Sequence, residues 1–142
     1  AELFQSQMQA NLPGWTSTIR QVPFSVKQDS LRNGTYEMAT SNWIADFADP
    51  VNYVERFHTD INRGNYSFAD VDELIDSAKA AYNDEEARWD YLVEAEQTAI
   101  GEHYVQIPTY QSAGTYLLKA EVKDLFIPVF GPDSYKYAYI EE

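Results

Sequence analysis

The chain has 142 residues, which points to one domain or a piece of one. Ten Lys and Arg against 23 Asp and Glu leave a formal charge of −13, which argues against a nucleic-acid binder and against docking on an anionic membrane surface. With 44% hydrophobic and 15% aromatic residues the composition is that of a chain with a core, and the absence of cysteine excludes disulfides, thiolate metal sites and cysteine catalysis.

Leu3, Phe4, Met8 and Leu12 form a helical stripe that stops at Pro13-Gly14. No basic start or long apolar stretch marks a signal peptide in residues 1–9, and the opening reads as that of a mature or excised fragment. Trp15 to Val22 reads as a strand, rich in Thr, Ile and Val. Ser25 and Gln28 form a possible capping box for a short helix that ends at Asn33-Gly34, a left-handed cap signal. Thr35 to Ser41 reads as a second strand, so the opening is a helix–strand–helix–strand unit.

Proline disfavours helix at the preceding residue, so Trp43 to Pro50 reads as a loop, followed by a short helix over Val51 to Phe57. The stretch Thr59 to Ser67 is polar and loop-like. Asp70, with Glu73, is the predicted cap of a helix whose core face is Val71, Leu74, Ile75 and Ala78. Asp84 is the predicted start of another, with Leu92, Ala95, Ala99 and Ile100 on its buried side. Val105 to Tyr110, Tyr116 to Lys119 and Tyr135 to Ile140 read as strands, with a turn at Gly131-Pro132-Asp133. The pattern as a whole is α/β.

The stretch Trp43-x-x-Asp46-Phe47-x-Asp49-Pro50 sets an aromatic and two carboxylates on a loop past a predicted strand. Ligands of open α/β sheets favour such places, and an acid there pairs with a cationic ligand group. The plain structural alternative is that Asp49 caps the following helix, Asp46 caps a turn and Trp43 is core. Asp46 and Asp49 also form a formal acid/base pair, which nothing else in the chain supports. His58 and His103 have no metal-ligand spacing, and the chain has no nucleophile elbow, dinucleotide fingerprint or P-loop. Asp70-Val71-Asp72 begins like a calcium loop but lacks its Gly and distal Glu. The 11 tyrosines fill a strand-face core or line a recognition surface, Tyr104, Tyr110 and Tyr116 being the candidates for the latter.

Leu31-Arg32-Asn33-Gly34-Thr35-Tyr36-Glu37-Met38 and the Trp43 to Pro50 stretch, in this order, are followed by Asp72-x-Leu74-Ile75-x-x-Ala78, Asp84-x-Glu86-x-Arg88, Ala95-Glu96 and Ile107-Pro108-Thr109-Tyr110. This ordered set resembles the C-terminal lobe of extracellular oligopeptide-binding proteins, the solute-binding components of peptide ABC transporters (the OppA-like, family 5 class). The resemblance covers nearly the whole chain and rests on the set, no one motif being decisive. It implies a periplasmic-binding-protein-like (type II) lobe with a mixed sheet flanked by helices. It implies that residues 1–111 are part of the ligand-binding lobe and residues 112–142 are strands that return towards the first lobe. Members of the class are longer two-lobed clamshells that close on a peptide by hinge motion.

By that resemblance Asp46 anchors a peptide α-amino group and Trp43 lines a side-chain pocket. The backbones of Asn42 and Ile44 pair with an extended peptide, Phe24 lines a neighbouring pocket, and Tyr110 reaches the cleft. Asn42 stands where many members have Gly, and Phe47 where many have Tyr, keeping the ring and losing the hydroxyl. The implied function is capture of oligopeptides for delivery to ABC permease subunits, with no catalysis, cofactor or metal. The implied location is extracytoplasmic, with membrane attachment only through a lipid anchor outside this stretch. Other solutes of the same class (peptide pheromones, oligosaccharides, nickel, haem), a hydrolase using Asp46 and Asp49, and a sensory or scaffold module remain as alternatives.

Overall fold

The computed structural model describes residues 1–128 and 131–141; Val129, Phe130 and Glu142, part of the 112–142 tail, lie outside the described residues. The chain divides into two compact units, Ala1–Asn42 with Arg63–Asn65, and Trp43–Asn62 with Tyr66–Glu142.

In the first unit, α1 spans Glu2–Asn11 and α2 spans Phe24–Arg32. The expected α1 stripe forms a helix but buries none of its residues. Phe4 makes a T-shaped contact with Trp15, with centroids 6.4 Å apart, beside a bond from Gln5 Nε2 to the Ser17 carbonyl. The α1 chain end turns through Gly14, whose φ of 83° suits glycine. α2 begins one residue before the expected capping box, so Ser25 sits inside the helix and makes no cap bond. Pro23 precedes the helix instead, supplying its pre-set φ where the orphan N–H groups have no partner in any case. The other end follows the sequence closely. The Gly34 N–H donates to the Leu31 carbonyl and the Thr35 N–H to the Ser30 carbonyl, a Schellman ending with Gly34 at φ 63°.

In the second unit, α3 (Val51–Val54) continues into a 3₁₀ turn at Glu55–Phe57. α4 (Ala69–Ala80) and α5 (Glu85–Gln97) form the body of the core, and α5 runs on into a π turn at Thr98–Glu102. Val71, Ile75 and Ala78 of α4 meet Leu92, Ala95 and Ala99, closed by Val51, Val54 and Phe57. Ala78 on α4 and Ala95 on α5, both fully buried, leave little side-chain bulk between the two long helices. Asp84 accepts the Ala87 N–H and caps α5 as the sequence implies. Asp70 does not cap α4. The helix starts at Ala69, and the Asp70 carboxylate takes the Val71 N–H from within the first turn, where it still favours the helix dipole.

The sheet of the described residues is one antiparallel pair, β1 (Val122–Lys123) with β2 (Tyr139–Ile140), extended by a bridge from Phe126 to Ser134. Of the predicted strands, only the end of Tyr135 to Ile140 is laddered. The segments 15–22, 35–41, 105–110 and 116–119 carry no ladder bonds. β-branched and aromatic residues favour an extended backbone, but a strand exists only where a second backbone pairs with it.

Candidate functional site

The distinctive loop is built backwards from the helix that follows it. Pro50 already has helical dihedrals (φ −55°, ψ −32°), and Asp49 Oδ1 accepts the Val51 N–H at 2.8 Å. Asp49 thus caps α3, with proline in the first helical position. The same Oδ1 receives Arg88 Nη2 from α5 at 2.7 Å. Burial works against the Asp49 charge, but the Arg88 hydrogen bond, the Val51 N–H and the Arg88 charge outweigh it and hold the carboxyl below its ordinary value.

Asn52 sits on the first turn of α3 and is 3% exposed. Its Oδ1 accepts the Asp46 N–H at 2.8 Å and the Trp43 indole N–H at 3.2 Å. Its Nδ2 donates to Glu55 Oε1 at 3.4 Å. The Arg56 guanidinium lies 4.4 Å from the Trp43 ring centroid, a cation–π contact on a half-buried indole. Between these fixed points Ala45 is buried while Ile44 is 78% exposed and Phe47 is half exposed. The Asp46 backbone is fixed, and its exposed carboxylate makes no hydrogen bond or ion pair among the described residues.

Trp43, Ile44 and Asp46 therefore share one short loop in the second unit. Asn42 is exposed and ends the main stretch of the first unit; Phe24, at the start of α2 in that unit, is 69% exposed with Lys27 Nζ 5.2 Å from its ring centroid. Tyr110 lies on the extended segment after the π turn and is 85% exposed. Trp43 is half-buried. Asp49 follows the structural reading alone.

The roles of three participants escaped the sequence reading. Asn52 left a weak signal, a polar residue at the start of a short apolar helix. Arg88 stands in the Asp84-x-Glu86-x-Arg88 motif, but its tie to Asp49, 39 residues away, carries no local mark, and neither does the contact of Arg56 with Trp43.

Neither histidine forms a metal centre. His103 Nε2 meets Asp70 Oδ2 at 2.8 Å and its ring stacks on Phe68 at 3.8 Å; that bond chiefly holds the Asp70 carboxyl below its ordinary value. His58 Nδ1 accepts the Asp60 N–H at 3.1 Å, while its Nε2 faces Asp76 at 3.6 Å. Among the described residues no group of three or more His, Cys, Asp and Glu is placed to hold a metal ion, and no helix is long and apolar enough to cross a membrane.

No family model matches the chain. A dipeptide-binding protein of Lactococcus lactis subsp. cremoris is 32% identical over 80 residues, 55% of this chain and 14% of that protein. An oligopeptide ABC transporter substrate-binding domain from Bacillus anthracis superposes with a TM-score of 0.81 at 32% identity, covering 99% of this chain and 28% of that one. The peptide-binding pheromone receptor PrgZ superposes with a TM-score of 0.75 at 28% identity, over 99% of this chain and 27% of that one. The helix-rich chain with its small sheet is compatible with a fragment of the substrate-binding-domain fold. The chain spans under a third of the length of these proteins, and its homologues are dipeptide- and oligopeptide-binding proteins of the OppA-like class.

Proposed function

We propose that the protein carrying this chain is the solute-binding component of an ABC importer, capturing oligopeptides between two lobes and passing them to the membrane permease. The observation that carries this reading is the Asp46 carboxylate, exposed and unpaired among the described residues on a backbone held by Asn52 beside the Trp43 indole. A carboxylate so placed suits a peptide ammonium group, which a short charge-assisted hydrogen bond orients. In this reading Trp43 lines a side-chain pocket, and the Asn42 and Ile44 backbones pair with an extended peptide. Phe24 lines a neighbouring pocket, and Tyr110 reaches the cleft.

No catalysis is assigned. The relatives named above are binding proteins, and Asp49, the second carboxylate a hydrolase would need, is committed to Arg88 and to the α3 cap. The location that goes with this reading is extracytoplasmic, with a lipid anchor outside this stretch of chain. Capture of a peptide signal in place of a nutrient peptide is a second reading, favoured by the likeness to the pheromone receptor.

The test is Asp46→Asn in the intact protein that carries this chain. Losing the charge of a charge-assisted bond costs about 1.5–3 kcal/mol, roughly 10- to 150-fold in affinity. Calorimetry should find that loss for peptides with a free amine and little change for their N-acetylated forms. Equal losses for both sets would remove the anchor role.

A further inference from the structure

The loop has one further organiser. Trp43 and Asp46 are three residues apart, on a stretch with no regular secondary structure. Nothing in the backbone of such a stretch fixes the spacing between an indole and a carboxylate. Yet both residues donate to the same atom, Asn52 Oδ1, at 3.2 and 2.8 Å. That oxygen is buried and has two lone pairs, so the two N–H donors use its capacity. The other end of the amide is fixed too. Its nitrogen donates to Glu55 Oε1 at 3.4 Å, and Glu55 Oε2 faces Lys79 Nζ on α4 at 3.6 Å. The amide can therefore turn only one way, oxygen to the loop and nitrogen to the carboxylate.

We propose that Asn52 is the positioning residue of the candidate peptide site, one side-chain oxygen that sets the aromatic wall and the anchoring carboxylate in register. The inference rests on the peptide-capture reading for its purpose and on these hydrogen bonds for its geometry. It explains why the position takes an amide. Leucine fills the volume but leaves two N–H groups unpaired. Aspartate keeps the acceptor but sets a second carboxylate against Glu55, in a setting where like charges repel strongly. Aspartate becomes acceptable if residue 55 turns into a donor.

The experiment uses the intact protein carrying this chain, with three variants, Asn52→Leu, Asn52→Asp, and Asn52→Asp combined with Glu55→Gln. Two readouts are taken. The ligand-free readout is the pair of NMR resonances of the Trp43 indole N–H and the Asp46 amide, with their hydrogen-exchange rates. The binding readout is equilibrium dialysis against a degenerate hexapeptide library with free amines, and against the same library acetylated.

Asn52→Leu should shift both resonances, speed their exchange and weaken retention of the free-amine library about tenfold, the loss expected for an unpaired buried donor. Asn52→Asp alone should weaken it as well. The double variant should recover both readouts, with retention within about threefold of the parent. Unmoved resonances in Asn52→Leu would overturn the inference, as would a double variant that folds and melts like the parent without regaining them. A parent protein that retains both libraries equally overturns the peptide-amine reading instead; the two resonances then decide the role of Asn52 by themselves.

Discussion

At the scale of single residues, Asp49 joins two elements through one oxygen. It caps α3 and grips Arg88 of α5. Replacing it by Asn keeps a good cap, so the change isolates the charge. The folded-state value of Asp49 is lowered, so its contribution is complete above the unfolded carboxylate value of about 3.9 and fades as pH falls through the lower folded value. Both partners keep some solvent access, which limits the pair to about 1 kcal/mol. Urea melts should therefore find Asp49→Asn less stable than the parent by about that amount at pH 7, with the gap closing as the pH is lowered below about 4. A gap of equal size at acid pH would mean that shape, not charge, is what Asn lacks. Asp49 as a cap was legible in the sequence because proline follows it. Its tie to Arg88 was not, since nothing local records a contact across 39 residues.

At the scale of elements, the helices were legible and most of the strands were not, for one reason. A helix satisfies its own backbone, so periodic apolar residues and end signals within one stretch suffice. The 69–80 and 85–97 helices, the Asp84 cap and the Gly34 ending all follow from such local marks. The segments 105–110 and 116–119 have the residues of strands but find no partner among the described residues. The caps allow a paired test. Asp84 accepts a bond and Ser25 does not, although both sit in sequences that look like caps. Asp84→Ala should cost about 1 kcal/mol in a denaturant melt, and Ser25→Ala less than about 0.5 kcal/mol. Equal costs would show that Ser25 caps α2 in solution.

At the scale of the whole chain, the burial is uneven. The core residues Val71, Ile75, Leu92, Ala95 and Ala99 belong to α4, α5 and the π turn, whereas α1 buries nothing and the stretch from Tyr104 to Leu118 exposes Ile107, Tyr110, Tyr116 and Leu117. Local opening costs least where few apolar contacts must break. Hydrogen-exchange mass spectrometry should find the slowest amides in α4 and α5, and the fastest in residues 106–118, which have no ladder bonds. Slow exchange across 106–118 in the intact protein would mean that another part of that protein pairs with this stretch. The loop at 43–50 was legible as a candidate site for the same reason that its organiser was not. An aromatic, two acids and a proline are visible in a row, but the residue that holds Trp43 and Asp46 is one polar side chain on the next helix.

The setting of Trp43 also makes it an optical instrument. Its indole is half-buried, bonded through its N–H and faced by a guanidinium, while Trp89 is exposed and Trp15 makes a T-shaped contact with the Phe4 ring. Changing Trp15 and Trp89 to Phe would leave Trp43, at the proposed pocket wall, as the one tryptophan of this stretch of chain. Its colour and quenching would then follow the seating of an unlabelled ligand in real time.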